Sequence, residues 1–363
     1  MSNMFRGRIR WRELGWSDPD LNAYEHIFEN NNDPKNPNVL RWRFRAGPTA
    51  HSLLLLAEDA SKLECPSASF YAIFGVPFRV GSNVVTAGQS IDTLTDKEYR
   101  GQGLFVWLAS EAYRLFVGRG GKLVYGFPNQ NVHKARIAHL NWRMLNPLPL
   151  MLRPMRSGYF LRRGLRLPQR VANCLDFRIG RFHRESKEQE ERPILEPLTR
   201  FGPEHDELWR QFSSGIPACV ERTADFLNWR ITKHPTGKYR ILGAYRKGRL
   251  AAEIIWCIGQ KHGGNIGYVM ELLQRPDDLP AGHGVLAACL SQMSAANVDA
   301  VLAWNMRHSP NSAIFRSAGF FSLPERLRPF NFYWGFRSFD SNLDVILRDR
   351  RNWYISYIDS DTT

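Results

Sequence analysis

Apolar residues fall at two spacings along this chain, and the two alternate. Ser52-Leu-Leu-Leu-Leu-Ala57, Val84-Val-Thr-Ala-Gly-Gln-Ser-Ile91 and Lys122-Leu-Val-Tyr-Gly126 are short apolar runs bounded by turn residues, which predicts strands. Leu104-Phe-Val-Trp-Leu-Ala-Ser-Glu-Ala-Tyr-Arg-Leu-Phe116 instead places apolar residues three and four apart, which predicts a helix. The second half repeats the alternation, with strands at Tyr239–Tyr245, Gly267–Leu272 and Asp299–Trp304. Short helices follow Asn131 and Asn311, each asparagine being a candidate N-cap. Strands alternating with helices make an α/β fold.

The two halves also resemble each other in sequence. Leu40-Arg-Trp-Arg-Phe-Arg-Ala-Gly-Pro-Thr49 and Leu227-Asn-Trp-Arg-Ile-Thr-Lys-His-Pro-Thr236 share leucine, tryptophan, arginine, proline and threonine at one offset. Such self-similarity suggests duplication, with Trp42 and Trp229 as matched core anchors or acceptor-stacking rings. The charged segment Glu185–Pro193 reads as a linker. The expected division is residues 1–185, residues 194–335, and an aromatic C-terminal arm, 336–363, that packs back.

The formal net charge of +14 favours an anionic partner. Arg153, Arg156, Arg162, Arg163, Arg166, Arg170, Arg178, Arg181 and Arg184 hold much of it, either beside an anion site or as a solvated basic face. No regular interleaving of aromatic and basic residues suggests a single-strand groove, so nucleic acid is not the expected partner. The five cysteines form no CxxC pair and no zinc spacing, so no metal is expected. The N-terminus lacks an apolar signal-peptide core, and no run is long enough to span a bilayer. A cytoplasmic protein with reduced thiols is the expectation.

The most specific chemistry lies at Asp92-Thr-Leu-Thr-Asp-Lys-Glu-Tyr-Arg-Gly-Gln-Gly-Leu-Phe105. Strand, two-glycine turn and helix start form a device for holding phosphate: glycines admit an anion close to the backbone, and free helix N–H groups point at it. Arg100 adds a positive charge. The matching segment of the second half, Ala281-Gly-His-Gly-Val-Leu286, keeps Gly282 and Gly284 without the arginine.

Arg100-Gly-Gln-Gly-Leu-Phe105 resembles the pyrophosphate loop of the GCN5-related N-acetyltransferase (GNAT) superfamily, with Phe105 where glycine or alanine is usual. Gly126-Phe-Pro-Asn129, Gln89-Ser-Ile-Asp-Thr93 and the closing Trp353…Asp359-Ser-Asp361 resemble a bacterial subgroup with two tandem GNAT folds, which includes sugar N-acyltransferases of surface-polysaccharide pathways. The resemblance implies acetyl-CoA or another short acyl-CoA as co-substrate, bound once per chain in the first half. It implies transfer by direct attack on the thioester, and the amine of a nucleotide-linked amino sugar as acceptor. Both partners are polyanions, with roughly four charges on CoA and about two on a nucleotide-sugar pyrophosphate. An aminoglycoside or peptide amine is the alternative acceptor, and an aminoacyl-tRNA-dependent transferase or a non-catalytic polyanion-binding module the alternative function.

The expected site follows. Thr93, Leu94, Arg100, Gly101, Gln102, Gly103, Leu104, Phe105, Asn131 and Lys134 would hold the cofactor, with Arg136 a further phosphate candidate. Asp92 is the candidate base or amine anchor, with a capping role as the competing reading. Asn129 and Tyr125 are the other catalytic candidates, and His133 and His139 are lone histidines. Glu271, Asn305, Arg307 and His308, with Glu253 and Asn311, are candidates for the acceptor site.

Overall fold

In the computed structural model, residues 7–15, 17–45, 47, 51–62, 66–165, 167–179, 193–328 and 333–360 are described. The first half runs β1 (Ile9–Glu13), α1 (Asp18–Glu29), α2 (Pro37–Arg45), β2 (Leu53–Asp59), β3 (Ser67–Val80), β4 (Asn83–Thr95), α3 (Leu104–Gly118), β5 (Leu123–Gly126), α4 (His133–Leu140), β6 (Arg143–Met144), β7 (Leu150–Pro154), α5 (Ser157–Gly164) and α6 (Gln169–Cys174). The second half runs β8 (Ile194–Pro197), α7 (Pro203–Phe212), β9 (Ala218–Val220), α8 (Ala224–Leu227), β10 (Arg240–Arg246), β11 (Arg249–Lys261), β12 (Gly264–Gln274), α9 (Leu279–Ala295), β13 (Ala300–Trp304), α10 (Ser312–Ser317), β14 (Phe321–Ser322), β15 (Gly335–Ser338) and α11 (Ser341–Leu347).

The duplication is visible in this order: β2-β3-β4-α3-β5-α4 corresponds to β10-β11-β12-α9-β13-α10. In each unit the third strand lies parallel to the fourth, β4 beside β5 and β12 beside β13. Sequence does not show that the halves exchange strands. The first sheet has the order β1-β2-β3-β4-β5-β15-β6, with β9 also paired to β3, so β9 and β15 come from the second half. The second sheet has the order β14-β7-β13-β12-β11-β10-β8 and includes β7 from the first. The division expected at 185–193 therefore does not separate the strands of the two sheets; residues 185–192 lie outside the described residues.

Leu53 to Leu56 form an unbroken apolar run because both faces of β2 are buried. Leu54 and Leu56 join a core shared by both halves, whereas Leu53 and Leu55 pack toward α3. On the far side, α9 covers the second sheet, with Val285 and Cys289 among its buried contacts. The shared core holds Trp42, Trp229, Tyr268, Trp304 and Trp353, which places the repeated tryptophans between the halves.

Four arginines of the basic run, Arg153, Arg156, Arg162 and Arg163, make contacts within this region and to the second half, whereas Arg170 and Arg178 are exposed. Arg156 pairs with Asp176 and reaches Asn297, while Arg162 and Arg163 donate to the backbone of the β11–β12 turn at Gly263 and His262. Arg153 is largely buried and donates to Ala318 O at 2.6 Å. Arg166, Arg181 and Arg184 lie outside the described residues.

Candidate functional site

Two features of β4 create the site. Its ladder with β5 is only three residues long, ending at Gln89↔Tyr125. Its register with β3 jumps from Phe70↔Leu94 to Ala72↔Ile91, so it carries a bulge at Asp92 and Thr93. Asp92 takes the left-handed region, φ 43. The ladder between β4 and β5 thus stops just before the bulge. Gly126 is required at this point, since a Cβ there would lie 2.9 Å from Ser90 O.

Beyond the bulge, β4 runs to Thr95 and a one-turn helix, Lys97–Tyr99. Arg100 Nε donates to Thr95 O and Gln102 Nε2 donates to Glu98 O. These bonds shape a turn whose exit, Gly103, has φ 81 and places no capping side chain on α3. The N–H groups of the first turn of α3 have no intrahelical acceptors, and Arg100, just before that turn, is exposed. Leu104 is buried and Phe105 packs toward Tyr71. The bulky residue at position 105 therefore belongs to the core side of α3.

On α4, Asn131 and Lys134 are exposed. The turn before the helix is held by Asn129, whose Oδ1 accepts from Asn131 N and Val132 N at 3.0 and 3.3 Å. The expected Asn131 cap is thus replaced by an Asn129 turn, and the helix begins two residues later. His133 stacks on Tyr333, centroids 3.9 Å apart, and His139 is exposed.

The opposite face of the splay opens on a narrow cavity between the halves, with an enclosed volume of only about 30 Å³. Gln89, Ile91 and Tyr125 line it from the first sheet, together with Arg43, Arg230 and Asp359. Arg43 and Arg230 are the arginines that follow the repeated tryptophans. The repeat carried this signal, although sequence reasoning did not assign either residue to the site.

Asp359 was also missed. It is buried; its Oδ2 accepts from Arg222 Nη2 at 2.6 Å and from Ser356 N at 2.9 Å. Its Oδ1 has no hydrogen-bond partner among the described residues. Gln89 Nε2 donates to its carbonyl at 2.7 Å, tying this segment to β4. Burial pushes the Asp359 carboxyl up to about 6, and the Glu271 charge adds to this against the pull of Arg222. One arginine thus serves two carboxylates.

Asp92 has the opposite environment. It accepts from Tyr24 OH and from Arg43 Nη1 at 2.8 Å, with Lys35 Nζ at 3.3 Å. Burial acts to raise its pKa, but Arg43 and Lys35 outweigh burial and hold the carboxyl below its usual range. A carboxylate so held is a poor proton acceptor, and this geometry makes it an anchor for Arg43. Tyr125 is buried and lines the cavity.

The candidates of the second half divide. Glu271 is buried and accepts from Arg222, Tyr354 OH and Ser356 Oγ. Asn305 and Asn311 are bonded to each other, and Asn311 Nδ2 donates to Leu272 O at 2.7 Å, so Asn311 is a buried bridge rather than the expected side-chain cap. Glu253 is paired with buried His205. Arg307 and His308 are exposed, and His308 Nε2 lies 3.0 Å from Trp353 O. None of these residues lines the cavity.

The second half also closes its own anion position. Asp278 Oδ1 accepts from Ala281 N at the start of α9 and is paired with Arg246. A carboxylate sits where an anion would bind, and Gly282 and Gly284 lie inside the helix rather than in a turn. Among the described residues, no cluster suits a metal ion and no helix is long and apolar enough to cross a membrane.

Two mixed sheets flanked by helices, each with a parallel strand pair, make a tandem GNAT-like fold. The chain is similar in structure to Saccharomyces cerevisiae N-myristoyltransferase with bound myristoyl-CoA, at 11% identity and TM-score 0.57, covering 91% of this chain and 82% of that one. A second structure of the yeast enzyme with myristoyl-CoA gives 12% and 0.55, over 91% and 80%. A conserved protein of unknown function from Enterococcus faecalis V583, named as a probable N-acyltransferase, gives 9% and 0.61, over 93% and 75%. No family model and no curated protein matches the sequence.

Proposed function

We propose that this chain is an acyl-CoA-dependent N-acyltransferase with one acyl-CoA site per molecule. The observation that carries this reading is the opposition of two features across the β4–β5 splay: an uncapped glycine turn with Arg100 on one side, and on the other a narrow cavity lined by Arg43, Arg230 and Asp359, whose buried Oδ1 has no partner among the described residues. The pyrophosphate sits at the first turn of α3, and the pantetheine arm runs into the splay with the thioester at the bulge. The acceptor amine enters from the cavity.

The amine attacks the thioester carbonyl carbon, a C–N bond forms, and the C–S bond breaks. The ammonium proton passes to Asp359 Oδ1 and is returned to the departing thiolate, so the amide and free CoA leave with protons balanced. Asp359 suits this role because it is ionised above about pH 6 and has a free oxygen. Positioning by the splay supplies much of the remaining rate.

Arg43 and Arg230 favour an acceptor that carries an anionic group near its amine. The nucleotide-linked amino sugar implied by the sequence resemblance has this chemistry, through its pyrophosphate. Titration calorimetry with acetyl-CoA tests the donor half of the proposal, with Arg100→Ala as the control. Mass spectrometry of products from a panel of nucleotide amino sugars and acyl-CoAs tests the acceptor half. No acyl-CoA binding, combined with salt-sensitive binding to polyanions, would replace the enzyme with a non-catalytic binding module.

A further inference from the structure

Arg136, on α4, is buried at 2% exposure, yet no carboxylate pairs with it among the described residues. Its Nη2 donates to Ser90 Oγ at 2.9 Å, while its Nε and Nη1 have no hydrogen-bond partner among those residues. The guanidinium carbon lies 4.2 Å from the centroid of the Trp142 ring and 6.0 Å from that of Phe105. Ser90 is the first β4 residue beyond the ladder to β5, and Phe105 is in the first turn of α3. Arg136 therefore stands between the start of the splay and the start of the phosphate-binding helix.

The polar groups around it do not compensate it. Ser90 Oγ contacts Tyr71 OH, Tyr71 OH contacts Tyr113 OH, and Trp142 Nε1 donates to Tyr113 OH. This buried chain comprises one guanidinium, one indole and three hydroxyls. It is rich in donors, and it includes neither a carboxylate nor a carbonyl acceptor. The Trp142 face offsets part of the charge. Two buried N–H-bearing nitrogens and a net positive charge remain, a costly state unless something brings acceptor oxygens.

We infer that Arg136 is an acyl-CoA-binding residue that donates from Nε and Nη1 to oxygens of the cofactor arm at the mouth of the splay. This inference rests on the acyl-CoA reading above. The oxygens come either from the pantetheine carbonyls or from the pyrophosphate, both of which supply acceptors along that path. The ligand would complete a network that the protein leaves short of acceptors.

The test is titration of CoA into wild-type protein and into Arg136→Met, which keeps an apolar stem without the donors, together with thermal melts of both ligand-free proteins. CoA binding should weaken roughly ten-fold to a hundred-fold, the loss expected for hydrogen bonds to a charged group. The ligand-free melting temperature of Arg136→Met should be unchanged or higher, because an uncompensated buried cation has been removed. A purely structural Arg136 would give the reverse: a lower melting temperature with CoA affinity intact. That result would overturn the inference.

Pantetheine and 3′-phospho-ADP separate the two oxygen sources, since the affinity lost in Arg136→Met follows the fragment that Arg136 touches. If Arg136→Met does not fold, the Arg136 Nε–H resonance of wild-type protein, assigned by its loss in Arg136→Lys, decides instead. A shift on CoA addition supports the contact, and an unmoved resonance at saturating CoA refutes it. Wild-type protein that binds no CoA would defeat the acyl-CoA reading itself, an outcome distinct from wild-type binding that Arg136→Met leaves unaltered.

Discussion

The indole of Trp42 lies flat on the indole of Trp229, with centroids 4.7 Å apart and planes 10° from parallel. Each donates its Nε1–H to the other's backbone carbonyl, Trp42 to Trp229 O at 2.9 Å and Trp229 to Trp42 O at 3.3 Å. The two residues hold matching positions in the repeat, so each half supplies the same group to the same contact. The arginines that follow them flank the cavity, so the stack that joins the halves also sets the width of the proposed acceptor site.

Removing one ring should uncouple the halves. Trp229→Ala should cost about 3–5 kcal/mol, the range for large aromatic truncations in a core. Urea denaturation followed by circular dichroism and by tryptophan fluorescence checks this. The wild type should unfold in one transition, whereas the variant's two probes should separate.

Asp359 and Asp92 should respond to pH with opposite signs. The native pKa of Asp359, about 6, stands above its unfolded value near 3.8, so the native state binds more protons between them. The stability contributed by Asp359 is full below pH 3.8 and is lost as pH rises through 6. In urea melts, the stability of the wild type relative to Asp359→Asn should fall between pH 4 and 7. In assays, the low-pH limb of the rate near pH 6 should disappear in the variant, together with most of the turnover, while acyl-CoA binding persists.

The native pKa of Asp92 lies below 3.8, so its contribution is present above 3.8 and is lost as pH falls through the native value. Asp92→Asn removes the carboxylate shared by Arg43 and Lys35, while Lys35 keeps Asp33, so the cost should be about 1–3 kcal/mol near neutral pH, that of losing hydrogen bonds to a charged group. Thermal melts at pH 7 and pH 3 check this, and the gap between the two proteins should narrow at pH 3. Arg43 would also lose its ion pair with Asp92, so the KM for the acceptor should rise more than kcat falls.

Gly103 has φ 81 at the start of α3. Gly103→Ala forces a side chain into the left-handed region, at about 1–2 kcal/mol, and shifts the first-turn N–H groups. Calorimetry should show weaker CoA binding in this variant.

The asymmetry between the halves predicts stoichiometry. Because Asp278 caps α9, one acetyl-CoA should bind per chain. Asp278→Ala should lose about 1 kcal/mol of stability and leave the stoichiometry at one, since this helix start lacks the glycine turn.

The sequence alone determined what depends on neighbours in the chain. Strand and helix spacings, the glycine turn at Gly101 and Gly103, and the repeat that pairs Trp42 with Trp229 all come from local steric rules and short-range periodicity. The position of β4 was legible, and its continuation past Ile91 to Thr95 was not, because a bulge is set by pairing with β3. The tertiary structure alone decided which strands cross between sheets and which charges meet. Asp359 finds Arg222 from 137 residues away and Gln89 from 270, and Asp92 finds Arg43 from 49. The state of a carboxylate depends on burial and on its partners' charge, and neither is written near it in the chain. So Asp92, which reads in sequence as the base, is held ionised by two cations, and Asp359, at the end of the described chain, has the open oxygen.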